Sequence, residues 1–284
     1  MSSRCPERAL ARAVLAFALG VAGALPAVCA ERLLRVCAEP DNLPLSSEQE
    51  NGFENRIARL LADELGAKLV YAWQPQRRGF VRKTIGADLC DVWMGVPAGF
   101  ERLATTRPYY RSSYVFLNRA DARAPLGSFD DRRLPSLRIG VQLIGDDFAA
   151  TPPALALARA GAVDGIVGYP VYGDGPAVQR ISADLASGKL DAALVWGPQA
   201  GYFTDHAPVP LAATPASPPP GLGLPFDFAI AIGVRKGNAD LRRDLDAALE
   251  RRARDVDAVL DAYHVPRVAA GTVAMQAHEA ERRR

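Results

Sequence analysis

Beyond residue 30 the chain has no second long apolar run, so no membrane span is expected in that part. An excess of charge is also missing. Of 34 basic and 32 acidic side chains, three Arg and one Glu fall within the first thirty residues, and the rest balance. Binding a phosphate backbone requires clustered positive charge, so nucleic acid is excluded as a partner. Histidine is scarce: His206, His264 and His278 are scattered and form no zinc pattern. Glu39, Asp41, Glu54 and the pair Asp146-Asp147 offer hard oxygen ligands, but none has the spacing of a calcium loop. The pair precedes an expected helix start, where the helix dipole favours carboxylates without any metal. Gly-x-Ser-x-Gly, Walker and dinucleotide-binding fingerprints are all absent. The expectation is therefore a non-enzyme with no catalytic residue, no metal and no cofactor.

What is present begins with residues 1–30. Arg4, Arg8 and Arg12 form a basic region, Ala13 to Val28 is almost wholly apolar, and Val28-Cys29-Ala30 ends it. Basic, apolar and small in that order make a secretory signal peptide. Cys29 raises a lipoprotein alternative, although Val28 stands where that signal wants a small residue. After cleavage only Cys37 and Cys90 remain, and an even pair in an oxidising compartment reads as one disulfide. Closing a loop of that size contributes about 4 kcal/mol in the chain-entropy picture. Two free buried thiols are the alternative.

The remaining length suits one large or two modest domains, and at 49% hydrophobic content the chain can bury a core. LLRVCA (33–38) reads as a strand, Gly52-Phe53-Glu54 opens a helix with Ile57, Leu60, Leu61 and Leu65 on one face, and Gly66 stops it. A strand over 68–73, a helix over 80–87 and a strand over 90–96 follow. Tyr114 to Asn118 is an extended run leading out of this unit. The grammar then restarts: strand 137–143, a helix opened by Thr151-Pro152-Pro153, strand 167–169, helix 177–187 and strand 190–196. Residues 207–225 read as an irregular connection, 226–234 as a returning strand, and 241–263 as one helix. Alternating strands and helices mean parallel sheets with crossover helices. The expected architecture is α/β: a signal peptide over 1–30, lobe 1 from 31–117 and 226–266, lobe 2 from 118–225, and a flexible tail over 267–284. A ligand cleft is expected between the lobes, beyond the carboxyl ends of the strands. A sheet that sets the first and third strands side by side also lets Cys37 and Cys90 meet.

Several long words then fall into a known pattern. VCAEPDNLPLS (36–46), GFENRIARLLADELGAKLVYAWQPQRRGFVRKT (52–84), CDVWMGVPAGFE (90–101), TTRPYYRSSYVF (105–116) and ALVWGPQAGYF (193–203) resemble the MoxJ/XoxJ-type periplasmic proteins. These are a branch of the amino-acid-type (family 3) extracellular solute-binding superfamily. The resemblance spans roughly residues 33–266. It implies a periplasmic binding protein fold of type II with two parallel-rich lobes. It also implies association with a pyrroloquinoline-quinone (PQQ)-dependent methanol or alcohol dehydrogenase, as an aid to its maturation or activation. The alternative is a receptor for an ABC-type transporter permease, carrying a small planar or acidic solute.

The superfamily's amino-acid anchors are altered here. Arg102 is the candidate for the superfamily's Arg upstream of Pro-Tyr-Tyr, but it stands on a segment shorter than usual, and the position five past Asp191 holds Trp196 instead of Asp. An indole cannot neutralise an ammonium, so an ordinary amino acid is disfavoured. The expected cleft is aromatic and cationic instead: Trp73, Arg77, Arg78, Tyr109, Tyr110, Tyr169, Trp196 and Tyr202 all lie at or after strand ends. Stacking and bidentate bonds from these would suit a planar small molecule. Each aromatic has core or hinge packing as its structural alternative, and Arg77-Arg78 a solvated pair. The turn Trp196-Gly197-Pro198 is the leading cleft element, since Gly and Pro allow close backbone approach.

Overall fold

The computed structural model describes residues 31–144, 149–171 and 175–269. The expected signal peptide, the pair Asp146-Asp147, and the tail from residue 270 with His278 lie outside these residues.

The first run of elements is β1 (Leu33–Ala38), the short β2 (Asp41–Asn42) and β3 (Ser46–Ser47), α1 (Phe53–Glu64), β4 (Lys68–Trp73), α2 (Phe80–Lys83), β5 (Val92–Pro97), β6 (Ala104–Thr105) and β7 (Tyr110–Arg119). A second run comprises β8 (Ile139–Ile144), β9 (Ala149–Ala150), α3 (Pro152–Arg159), β10 (Ile166–Pro170), α4 (Ala177–Ala186), β11 (Ala192–Trp196), α5 (Gly197–Asp205) and β12 (Leu211–Pro215). The chain returns as β13 (Asp227–Val234) and closes with α6 (Ala239–Arg251) and α7 (Ala253–Ala262). Strands run in the order β10-β8-β11-β7-β13-β5-β1-β4. β4, β1 and β5 are parallel to one another, as are β10, β8 and β11. Between these blocks β7 and β13 pair antiparallel to each other and to their neighbours. β7 joins the two blocks: Tyr110–Ser113 pairs with β13, and Tyr114–Leu117 pairs with β11.

Each block has its own core. Phe53, Ile57 and Leu61 recur at the helical period along α1, all 0% exposed, and pack with Val36, Met94 and Ile232. Burying each contributes roughly 2 kcal/mol. Phe116, Val141 and Leu194 anchor a core in the other block. The start of α1 explains the word Gly-Phe-Glu-Asn. A side chain on Gly52 would fall 2.2 Å from the Leu45 carbonyl oxygen, because the 44–45 segment packs directly on the helix end. There the Pro44 and Leu45 carbonyls accept the N–H groups of Phe53 and Glu54 at 2.8 and 2.9 Å. Asn55 Oδ1 accepts the N–H groups of Ser47 and Gly52, at 3.0 and 3.1 Å.

β1 and β5 are neighbours, and Cys37 and Cys90 are joined in a disulfide with Cα atoms 5.5 Å apart. Three expected elements differ. The helix over 80–87 breaks at Thr84, whose N–H and hydroxyl both go to the Phe80 carbonyl; a 3₁₀ turn over Ile85–Ala87 follows. The single helix over 241–263 is two, bent at Arg252, so that Leu245 and Leu249 as well as Val256 and Leu260 all reach one core. The stretch 207–225 contains β12, an edge strand on β7 that ends at Pro215, where a missing N–H is tolerated. Past α7 the chain stays attached through residue 268: Ser112 Oγ donates to the Pro266 carbonyl at 2.6 Å, and the Val268 N–H to that of Arg111 at 3.0 Å.

Candidate functional site

A cavity of about 270 Å³ lies where the parallel strands end. The first block supplies Asn42 just after β1, Gln76 just after β4, and Gly95 and Pro97 at the end of β5. The second supplies Gln142 near the end of β8, Thr151 at the start of α3, Val171 after β10, Trp196 at the end of β11 and Gln199 on α5. Leu45, with Tyr114, Phe228 and Ile230 of the central antiparallel pair, forms the rest of the described wall. Ligand sites of open α/β sheets belong at these carboxyl ends.

Two features set its chemistry. The first is an aromatic corner: Trp196 packs edge-on to Tyr114 at 5.3 Å and to Phe228 at 5.9 Å between ring centres. Burial pushes the Tyr114 phenol up to about 12, so it stays neutral. The second is a row of carboxamides. The Trp196 backbone N–H donates to Gln142 Oε1 at 3.2 Å, Gln142 Nε2 to Gln199 Oε1 at 2.8 Å, and Gln199 Nε2 to Asn42 Oδ1 at 3.3 Å. The last bond crosses from one block to the other. Thr151 Oγ1 fixes the strand beneath by donating to the Gln142 carbonyl at 3.0 Å. Among the described residues no charged side chain lines the cavity.

Below this wall lies Glu54, 6% exposed, whose Oε1 is sealed from solvent and has no hydrogen-bond partner. Burial alone raises its carboxyl to about 8, so at neutral pH it is mostly uncharged. It lies directly behind Gly95 of the cavity wall. A Cβ there would sit 2.1 Å from Glu54 Oε1, and φ of +72° favours glycine as well.

The eight expected cleft residues divide. Trp196 lines the cavity, and the Tyr110 phenol is buried beneath it, its titration pushed up by that burial. Tyr109 acts one step removed, its oxygen accepting the Gly95 N–H at 3.2 Å. The other five lie off the cavity wall. Trp73 stacks on Tyr71 at 4.4 Å. Arg77 and Arg78 line a separate hollow with Gln74, Phe80 and Lys83. Tyr169 is buried in the second block, donating to Asp184 at 2.6 Å. Tyr202 stacks on His206 and Tyr263. The close approach at Gly197 is internal, since a side chain there would meet the Ser113 carbonyl at 2.6 Å. Asp191 is held by Arg138, which keeps its carboxyl below the usual range. Asn42, Tyr114, Gln142, Gln199 and Phe228 were not singled out as site residues. The signal for Gln142 was a polar side chain near the end of the apolar strand LRIGVQL.

No protein-family model matches the chain. It is 32% identical over 269 residues to Protein MoxJ of Paracoccus denitrificans, covering 88% of this chain and 94% of that one. Among solved structures, the periplasmic binding protein XoxJ of Methylobacterium extorquens AM1 is 37% identical, with a TM-score of 0.69 over 84% of this chain and all of that one. MxaJ of Methlophaga aminisulfidivorans MPT is 27% identical, with a TM-score of 0.72 over 83% of this chain and all of that one. The two parallel blocks, the antiparallel crossing between them and the cleft at the strand ends are the type II periplasmic binding fold, and the chain belongs to the MoxJ family.

Proposed function

We propose that this is a periplasmic, solute-binding-like accessory protein that associates with a PQQ-dependent methanol or alcohol dehydrogenase and aids its maturation or activation. Membership of the MoxJ family, the signal-peptide pattern of residues 1–30 and the likeness to a periplasmic binding protein support this setting. The observation that carries it is the cleft lining. An amino-acid zwitterion needs an opposite charge at each end, and the described lining provides neither. The ancestral clamp is thus kept in form while its usual cargo is refused. The cleft rim, free of that task, is the face that meets the dehydrogenase. Among the described residues the lining has no carboxylate, histidine or lysine, and Glu54 Oε1 is sealed behind Gly95, so the reading is binding and not catalysis. Calorimetric titration of the protein into the dehydrogenase of the same organism, in apo and PQQ-loaded forms, tests this. Micromolar or tighter binding to at least one form is expected, and no heat with either would refute it.

A second reading is a receptor handing a small solute to an ABC-type permease. The cavity of about 270 Å³ favours it, and the aromatic corner suits a planar solute. An acidic solute finds no cation on the described wall.

A further inference from the structure

We propose that the cleft selects an uncharged, planar small molecule bearing carbonyl acceptors, held on the amide row Asn42–Gln199–Gln142 against the Trp196 corner. This rests on reading the cleft as a working solute site.

A primary carboxamide has two N–H donors and one oxygen. Along the row each oxygen has already accepted one N–H: Gln142 from Trp196, Gln199 from Gln142, Asn42 from Gln199. Each Gln has used one N–H in doing so. One N–H on Gln142, one on Gln199 and both on Asn42 therefore remain for an occupant, while each oxygen already has one of its two lone pairs engaged. Gln142 and Gln199 are 6% and 5% exposed, so their unspent donors have little water to turn to. Buried donors without acceptors are unfavourable, which makes an acceptor on the ligand the matching group.

Charge decides which acceptor. A carboxylate would match the donors, but moving it into a wall whose described residues include no cation forfeits its hydration without return. An ammonium would meet four N–H groups and no carboxylate among the described lining residues: Glu54 is mostly protonated at neutral pH with its Oε1 sealed, and Glu39 is buried behind Gln76, whose N–H it accepts. A neutral carbonyl pays neither penalty. Flatness follows from Trp196, Tyr114 and Phe228, whose mutual edge-on packing leaves an apolar angle for a ring. Asn42 stands on one block and the two Gln on the other, so a carbonyl bridging them would also hold the cleft shut.

Three ring compounds of like size separate the possibilities: benzamide, benzoate and benzylammonium, titrated calorimetrically at pH 7. Benzamide is expected to bind at least about ten-fold tighter than either charged compound. Asn42→Asp, and independently Gln199→Glu, keep the side-chain shape but trade donors for negative charge. Each is expected to weaken benzamide and strengthen benzylammonium, with melting curves confirming the fold. Benzoate or benzylammonium binding the natural protein as tightly as benzamide, or no binding of benzamide, would overturn the proposal. Failure here beside a successful dehydrogenase titration removes only the ligand class. Selective benzamide binding without dehydrogenase binding keeps this site and removes the accessory reading.

Discussion

Glu54 occupies a place where a carboxylate is poorly served. It is the second residue of α1, where the helix dipole favours negative charge, yet burial without a partner outweighs that and lifts it to about 8. Its ordinary value is 4.5. Between those values the folded protein holds a proton that the unfolded chain has released. Stability therefore falls as pH rises through this window, by about 1.4 kcal/mol per pH unit, and levels off above it. Glu54→Gln removes the ionisation and keeps the shape. Melting measured from pH 4 to 9 is expected to show the variant's advantage growing with pH, on the order of several degrees by pH 8. Equal slopes for both proteins would mean that Glu54 has an internal partner or reaches water.

At the scale of elements, the long words carried most of the information. Apolar runs such as LLRVCA, LDAALVW and FDFAIAIGV became β1, β11 and β13, because a strand buried on both faces is apolar throughout. Local pattern failed where tertiary packing decided. Nothing between Leu241 and Tyr263 breaks a helix, and the bend at Arg252 exists because one straight axis cannot follow the curve of the core. β12 was hidden by flanking prolines and is a strand only because β7 offers it an edge. The disulfide was legible because two readings converged, an even cysteine pair and a sheet order that sets β1 beside β5. It closes a loop with a sequence separation of 53. Its reduction, or the double change of Cys37 and Cys90 to Ser, is expected to lower the melting temperature by about 10 °C. Unchanged melting would show that packing in the first block already enforces what the bond adds.

For the molecule as a whole, topology and the location of the cleft were legible, but the lining largely was not. Strand ends point to the cavity, yet which side chain at each end turns inward depends on how β7 and β13 cross between the blocks. Aromatic and basic residues near strand ends drew attention in the sequence. Tyr169 and Tyr202 proved to be packing residues, and Arg77 and Arg78 belong to another hollow. Amides at the same ends carry a weaker signal, since Gln and Asn are common on any surface. Trp196 was legible because it replaces an acid at a position where the superfamily needs one. What emerges is a clamp with the form of a solute receptor and a cleft whose described lining is neutral.

The most direct measurement is hydrogen–deuterium exchange on the protein alone and saturated with the proposed partner, a PQQ-dependent dehydrogenase of the same organism. Slowed exchange is expected at 42–45, 95–97 and 196–199, the segments that bring Asn42, Gly95, Trp196 and Gln199 to the cleft. Protection confined to α6 and α7, with those three segments exchanging as in the free protein, would contradict a cleft-facing accessory role.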